Sequence, residues 1–248
     1  MLPAHLFDCV SWLTALPIDF VGLIFGNEVL DAIPVHLIHY SNANWFERGV
    51  AFKREFIWQD KPLMGLDLLK NVSTHLLTIN CPSVNYLSEV CPAANGLIAS
   101  LAQSLKQGVM IMLDYGFGAD EYYHPQRNTG TLMCHYQHYA HCNPLIYVGL
   151  QDVTAHVNFT AIAETGLENG LTLAGYCNQA NFLMNCGILE ILNETSPNDL
   201  ANYMPMATAV QKLLSPAEMG ELFKVIALSK DFNETLIGFK SGDKAHML

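Results

Sequence analysis

An α/β fold with a mainly parallel sheet is the architecture the chain predicts, and three observations predict it. Short apolar runs recur at Val21–Phe25, Val109–Leu113, Leu171–Tyr176 and Phe223–Ser229, the form taken by strands buried on both faces. Helical stretches alternate with them, the order that builds sheets with crossover helices. Of 248 residues, 51% are hydrophobic and only 14% charged, so the chain can fill the core of one large domain.

Taken in order, Val21–Phe25 is a buried strand ended by Gly26. Pro34–Tyr40 and Trp45–Trp58 are rich in aromatic and β-branched residues, and Ser41-Asn42-Ala43-Asn44 between them is a turn signal, which predicts a hairpin over 34–58. The stretch 85–107 predicts a helix interrupted near Asn95-Gly96, with Gly108 at the C′ position where φ is positive. The strand Val109–Leu113 follows and ends at Asp114-Tyr115-Gly116. Asp120 to Gly130 is polar and turn-rich, part of a lid over 117–150. Asn158 caps a helix that runs to about Asn169 and is closed by Gly170. After the strand Leu171–Tyr176, helices are predicted at Gln179–Leu192, Pro205–Leu214 and Pro216–Leu222, before the last strand Phe223–Ser229. No repeat or linker divides the chain, so 1–248 reads as one domain with its core over about 10–229.

The bulk properties exclude several classes. A net charge of −11 with no compensating Lys/Arg cluster repels a phosphate backbone, which excludes nucleic acid and suits a basic partner. The seven cysteines, at 9, 81, 91, 134, 142, 177 and 186, are odd in number and form no C-x-x-C. That excludes a disulfide framework and a zinc knuckle, and points to free thiols in a reducing compartment. The N-terminus lacks a basic signal-peptide region. No apolar run approaches the roughly 20 residues that span a bilayer, so membrane insertion is not expected.

In open α/β sheets the ligand crevice lies at the carboxyl ends of the strands. That rule places Asn27, Glu28, Asp31, Asp114 and Tyr115 on the functional edge. Four constellations follow. Asn27-Glu28-x-x-Asp31-Ala32-x-Pro34 sets an amide and two carboxylates at a strand end, where a cation can bind; a capping Asn27 with a solvated Asp31 accounts for the same letters. Asp114-Tyr115-Gly116-Phe117-Gly118 has glycines that let backbone approach a ligand, or that merely shape a turn. Gly130 to His141 carries His135, His138 and His141, which with Asp152 and His156 invite a metal reading, and a metal-dependent hydrolase would use His135, His138, Asp152 and His156, whereas His beside Tyr is also ordinary packing. In Gly149 to Phe159, an extended backbone puts Asp152, Thr154 and His156 on one face, as a site wall or as a helix-entry network.

Taken together and in order, these segments resemble the MidA family of class I methyltransferases. The matching words are Asn27 to Val35, Asp114-Tyr115-Gly116, Gly130-Thr131-Leu132, Gln151 to Phe159, Gln179 to Leu183 and Met219 to Val225. The resemblance runs from about Val10 to about Ser229. It implies a Rossmann-like class I methyltransferase sheet with an inserted β-hairpin and helical segments, and S-adenosyl-L-methionine as cofactor. It also implies methylation of arginine on a protein substrate, such as a respiratory complex I subunit. The location implied is the cytoplasm in a bacterium or the mitochondrial matrix in a eukaryote. Glu28 and Asp31 become the catalytic carboxylates that grip and polarise the guanidinium. Gly26, Asn27 and Glu28 lie beside the cofactor, and Asp114, Tyr115, Gly116, His138, Asp152 and His156 line the substrate side. No metal is implied.

The sequence departs from the family pattern where Met133 stands for the usual arginine after Gly-Thr-Leu and His135 for an aromatic. It also lacks, upstream of Val21, the strand with a glycine-rich turn and the following acid-ended strand. The expectation is therefore a sheet lacking its first βα units, with Met1 an internal start and weak or no binding of S-adenosylmethionine. The competing expectation is a non-catalytic binding or assembly factor on the same scaffold.

Overall fold

The computed structural model describes residues 3–63, 85–137 and 139–248. A short 3₁₀ turn, Ala4–Cys9, precedes β1 (Phe20–Asn27). A meander of β2 (His36–Ser41), β3 (Asn44–Phe52) and β4 (Phe56–Pro62) follows. Next come β5 (Tyr86–Val90), α1 (Pro92–Ser104), the long β6 (Leu105–Phe117) and α2 (Ala119–Tyr122). The segment 117–150 expected to form a lid holds β7 (Met133–Tyr136) and β8 (Tyr139–His141); β9 (Asp152–Thr154) follows it, and β10 (Val157–Asn158) leads into α3 (Phe159–Glu168). The chain continues through β11 (Thr172–Asn178), α4 (Gln179–Asn185), α5 (Ile188–Asn193) and α6 (Leu200–Leu214) to β12 (Phe223–Lys230).

The main sheet has the order β1-β6-β12-β11, with β10 beside the carboxyl end of β6. β1 and β10 run parallel to β6, whereas β12 is antiparallel to both β6 and β11. The sheet is thus mixed rather than mainly parallel. The reason lies in the connection: α4 to α6 return the chain to the end of the sheet it left, setting Lys224 opposite Asn178. β12 can then enter only in the reverse sense. Its side chains alternate between two cores. Ile226 and Leu228 pack with Ile98, Met110, Phe159 and Ile162 under α1 and α3, while Val225 and Ala227 pack with Val109, Leu113, Cys177 and Phe239 on the other face.

The second sheet has the order β4-β3-β2-β5, and the third β8-β7-β9. The hairpin at 34–58 is present and extended by one strand. Its first turn uses Asn42 and Ala43 at φ of 50° and 61°, the backbone that a two-residue hairpin connection needs.

Four local expectations are corrected. The stretch 85–107 is not one helix, because β5 occupies its start. Cys91 precedes proline and is held out of the helical region, so α1 begins only at Pro92. Gly108 is not a helix terminus but a β6 residue at φ of 138°, where a Cβ would stand 1.9 Å from the Gly22 carbonyl oxygen. The helix at 179–192 is split into α4 and α5 by Gly187 at φ of 83°. Residues 216–222 form turns: Gly220 donates back to the Ser215 carbonyl at 2.9 Å, and a side chain there would strike the Leu214 carbonyl. The cap of α3 is as expected, with Asn158 Oδ1 accepting from the Ala161 amide at 3.3 Å.

Candidate active site

β1 and β6 lie side by side. β6 does not stop at Asp114 as expected but runs on to Phe117, because β12 and β10 continue to pair with it, whereas β1 ends with Asn27 opposite Leu113. The chain then turns sharply at Glu28, whose φ of 49° is uncommon for a residue with a side chain. The Glu28 amide donates to the Leu113 carbonyl at 2.9 Å, which keeps the turn on the strand end. Asn27 and Glu28 are both exposed on this rim.

Asp114 sits under the turn. Its Oδ2 accepts from the Leu30 and Asp31 amides at 2.9 and 3.2 Å, and its Oδ1 from the Tyr115 amide at 2.9 Å. Burial, with the Asp31 charge beside it, lifts its carboxyl to about 7 despite those three amides. Both oxygens are thus committed to backbone, so Asp114 fixes the turn that carries Asp31.

Asp31 is 6% exposed. Its Oδ2 accepts from the Tyr115 hydroxyl at 2.6 Å. Its Oδ1 is buried and finds no donor among the described residues. Burial and the Asp31 acceptor hold the Tyr115 phenol well above its ordinary range, so it remains a donor. The Tyr115 ring meets His156 edge-on at 5.1 Å, and His156 stacks on Phe117 at 5.2 Å. Burial, then the Arg127 charge, push the imidazole down to about 4, so it is neutral near pH 7 and its buried Nδ1 is without a partner among the described residues.

The remaining segments are tied to this centre by hydrogen bonds. The Ala155 amide donates to the Asp31 carbonyl at 3.0 Å, and the His156 amide to Thr131 Oγ1 at 3.1 Å. Thr131 in turn donates through its amide and hydroxyl to Glu89, at 2.8 and 3.0 Å, and the Leu132 amide adds a bond at 3.2 Å. Gly130, at φ of 75°, has no room for a side chain, since a Cβ would lie 2.3 Å from Glu89 Oε1. Burial raises the Glu89 carboxyl above the ordinary range, although these donors oppose it.

Of the third sequence constellation only Gly130–Leu132 joins, His135 and His141 standing on β7 and β8, while the other three meet in one network. Within it, Gly26 and Gly116 are accounted for by packing: a Cβ on Gly26 would lie 2.5 Å from Met112 Sδ, and one on Gly116 would lie 2.0 Å from the Val157 carbonyl oxygen, where β10 pairs with β6. Asp152 is exposed on β9 opposite His135, on the lid sheet. His138 lies outside the described residues. No three His, Cys, Asp or Glu side chains among the described residues are placed to hold a metal ion. Glu89, the anchor of the Gly130–Leu132 segment, was hidden in the sequence by the helix assigned there. The alternation Tyr86-x-Ser88 around it is the signal that could have marked a strand.

Beside Asp31, a cavity of about 410 Å³ opens between the turn, the β2–β4 meander and the lid. Its walls include His36, Glu47, Arg48, Trp58, Leu145 and Val153. None of the meander residues had been singled out in the sequence.

The fold is that of an α/β protein with a polar rim where β1 ends beside β6, the edge at which open α/β sheets carry their ligand crevices. Residues 2–177 match the Methyltransf_28 family, described as "Putative S-adenosyl-L-methionine-dependent methyltransferase", and the chain belongs to that family. It is similar to a COG1565 superfamily structure from Burkholderia thailandensis bound to S-adenosyl-homocysteine, with TM-score 0.93 and 45% identity over 98% of this chain and 62% of that one. A native COG1565 structure from the same organism gives TM-score 0.90 and 45% identity over 96% and 63%. The mitochondrial protein arginine methyltransferase NDUFAF7 homolog of Caenorhabditis elegans is 25% identical over 179 residues, which are 68% of this chain and 38% of that protein. The chain thus spans less than two thirds of each of these relatives. No helix among the described residues is long and apolar enough to cross a membrane.

Proposed function

We propose that the chain forms the substrate-facing part of an S-adenosyl-L-methionine-dependent methyltransferase that methylates arginine on a protein. The observation that carries this reading is Asp31, a buried carboxylate at a strand end, with one oxygen held by Tyr115 and the other unpaired. A buried acceptor without a donor is costly, and a guanidinium supplies donors in the planar fork that carboxylates bind.

The residues at the rim fit the polar end of the cofactor in part. Asn27 and Glu28 are exposed there as a donor and acceptors for ribose hydroxyls and the amino-acid moiety. Residues 3–19 contribute no strand to a cradle. When bound, the cofactor supplies a methyl group on a sulfonium, and carbon–nitrogen bond formation accompanies carbon–sulfur cleavage. The protein's part is positioning and charge placement. Asp31 holds the guanidinium, Tyr115 fixes the orientation of that carboxylate, and Glu28 faces the same nitrogen from the rim. Neutral His156 adds no competing positive charge. Asp114 sets the turn from beneath.

The test is transfer of labelled methyl from S-adenosylmethionine to an arginine peptide. Glu28→Gln is expected to lower turnover roughly a hundredfold or more. Undiminished turnover would falsify the Glu28 assignment, and label on another residue type would overturn the arginine reading.

A second reading, a non-catalytic binding or assembly factor, is favoured by the exposed apolar face of β1, where Val21, Leu23 and Phe25 point outward. Calorimetry with S-adenosyl-homocysteine separates the two. Micromolar binding supports the enzyme, and no binding supports the factor.

A further inference from the structure

The site network stops at Asp31 and Tyr115, yet the cavity beside them continues across to a sheet that the catalytic reading does not use. Its far wall is the β3–β4 hairpin, with Glu47, Val50 and Trp58, and its near wall is the lid, with Leu145 and Val153. The volume, about 410 Å³, lies within the usual range of roughly 300–1,000 Å³ for ligand pockets. We propose that this cavity is a peptide subsite that takes a cationic side chain flanked by apolar residues, with Trp58 and Glu47 as its specificity-determining residues. The proposal rests on the reading of the rim as a methyltransferase site and names what that site selects.

The charge balance of the walls carries the argument. Arg48 also lines the cavity, but it is spent: its Nε and one terminal nitrogen grip the two Asp60 oxygens at 2.8 and 3.0 Å, and His39 meets the same nitrogen at 2.9 Å. Asp60 is correspondingly held below its usual carboxylate range, first by Arg48. Among the described residues Glu47 meets the His36 imidazole alone, at 2.8 Å through Oε1. Asp31, in the wall opposite, is more than nine-tenths buried and has an acceptor with no donor among the described residues. The cavity thus offers two carboxylates to a cation and no unpaired arginine to an anion. Trp58 offers an aromatic face, which attracts a guanidinium through its quadrupole.

The rims fit a peptide rather than a free small cation. Val50 and Trp58, paired across the hairpin, line the cavity, and Phe52 and Phe56, two residues away along the same strands, are exposed. An exposed apolar strip leading from an acidic cavity complements a cationic residue with apolar neighbours on the same segment. The chain's net charge of −11 favours approach of such a segment.

The experiment is fluorescence anisotropy of labelled Gly-Leu-Arg-Phe-Gly on the purified protein, without methyl donor. Saturable binding is expected, weakened about tenfold by citrulline in place of arginine, and by a similar factor in Glu47→Gln and Trp58→Ala. Serine in place of the flanking Leu and Phe weakens it as well. Trp58→Phe, which keeps an aromatic face, retains most of the affinity and shows that a loss in Trp58→Ala is not misfolding. Equal binding of the citrulline peptide, no saturable binding up to millimolar protein, or wild-type affinity in both Glu47→Gln and Trp58→Ala overturns the proposal. Discriminating binding without any methyl transfer would sustain the subsite and sink the arginine methyltransferase reading. Arginine methylation with a KM unmoved by Glu47→Gln and Trp58→Ala would do the reverse.

Discussion

β1 and β12 both pair with β6 in the same sheet, and they face opposite circumstances. β12 is buried along seven successive residues, Phe223 to Ser229, with helices on one side and the C-terminal segment on the other. β1 alternates, with Val21, Leu23 and Phe25 each more than half exposed. Two similar apolar strings therefore differ in place and coverage: β1 is an edge strand, and β12 is paired on both sides. The covered strand holds the sheet together. The uncovered one ends in the polar rim that forms the candidate site. The open face of β1 is continuous in character with exposed Trp12, Leu13, Leu16 and Ile18, an apolar surface of the kind that proteins cover.

The contrast can be broken most sharply at Leu228, which is fully buried. Leu228→Ala is expected to cost about 2–5 kcal/mol in chemical denaturation, whereas Leu23→Ala on β1 costs less than about 0.5 kcal/mol, as exposed substitutions do. A comparable loss at both positions would mean that β1 is covered in solution.

Next in size is the clamp at the strand ends. Asp114→Asn replaces an acceptor that faces amide donors, and a loss of about 1–3 kcal/mol is expected. If denaturation shows no loss, the Leu30 and Asp31 amides are satisfied in some other way.

The pH dependence separates two groups of the site that act in one window with opposite sign. Asp114 holds its proton up to about 7 when folded and near 4 when unfolded. Its contribution is present below pH 4 and is lost as pH rises through 7. His156 loses its proton at about 4 when folded and near 6.5 when unfolded. Its contribution is present above 6.5 and fades as pH falls towards 4. The two offset each other in the unmodified protein. Melting of Asp114→Asn should therefore show stability rising from pH 4 to 6.5 more steeply than in the parent, and His156→Phe should show it falling. Identical profiles in all three proteins would refute both assignments. The smallest effect is expected for Leu23→Lys, with little change in stability and a higher solubility limit, read by light scattering.

Local chemistry was legible in the sequence wherever one residue decides a structure. Asn158 capped its helix, the Ser41–Asn44 turn closed its hairpin, and Asn27 and Glu28 fell at the end of β1, whereas Asp114 lies inside β6 because pairing with β12 carries that strand on to Phe117. The order of short motifs led to the family, since a site's words keep their order whatever surrounds them. Tertiary structure alone decided the rest. The direction of β12 depends on where three helices return the chain, which no window of sequence contains. β5 was a helix by local pattern until Pro92 and the pairing with β2 made it a strand. Glu89 became an anchor, Asp114 a clamp and Asp31 a carboxylate with a free oxygen only when segments up to 84 residues apart met. The acidity, burial and partners of a side chain are properties of its surroundings, and those surroundings exist only in the folded chain.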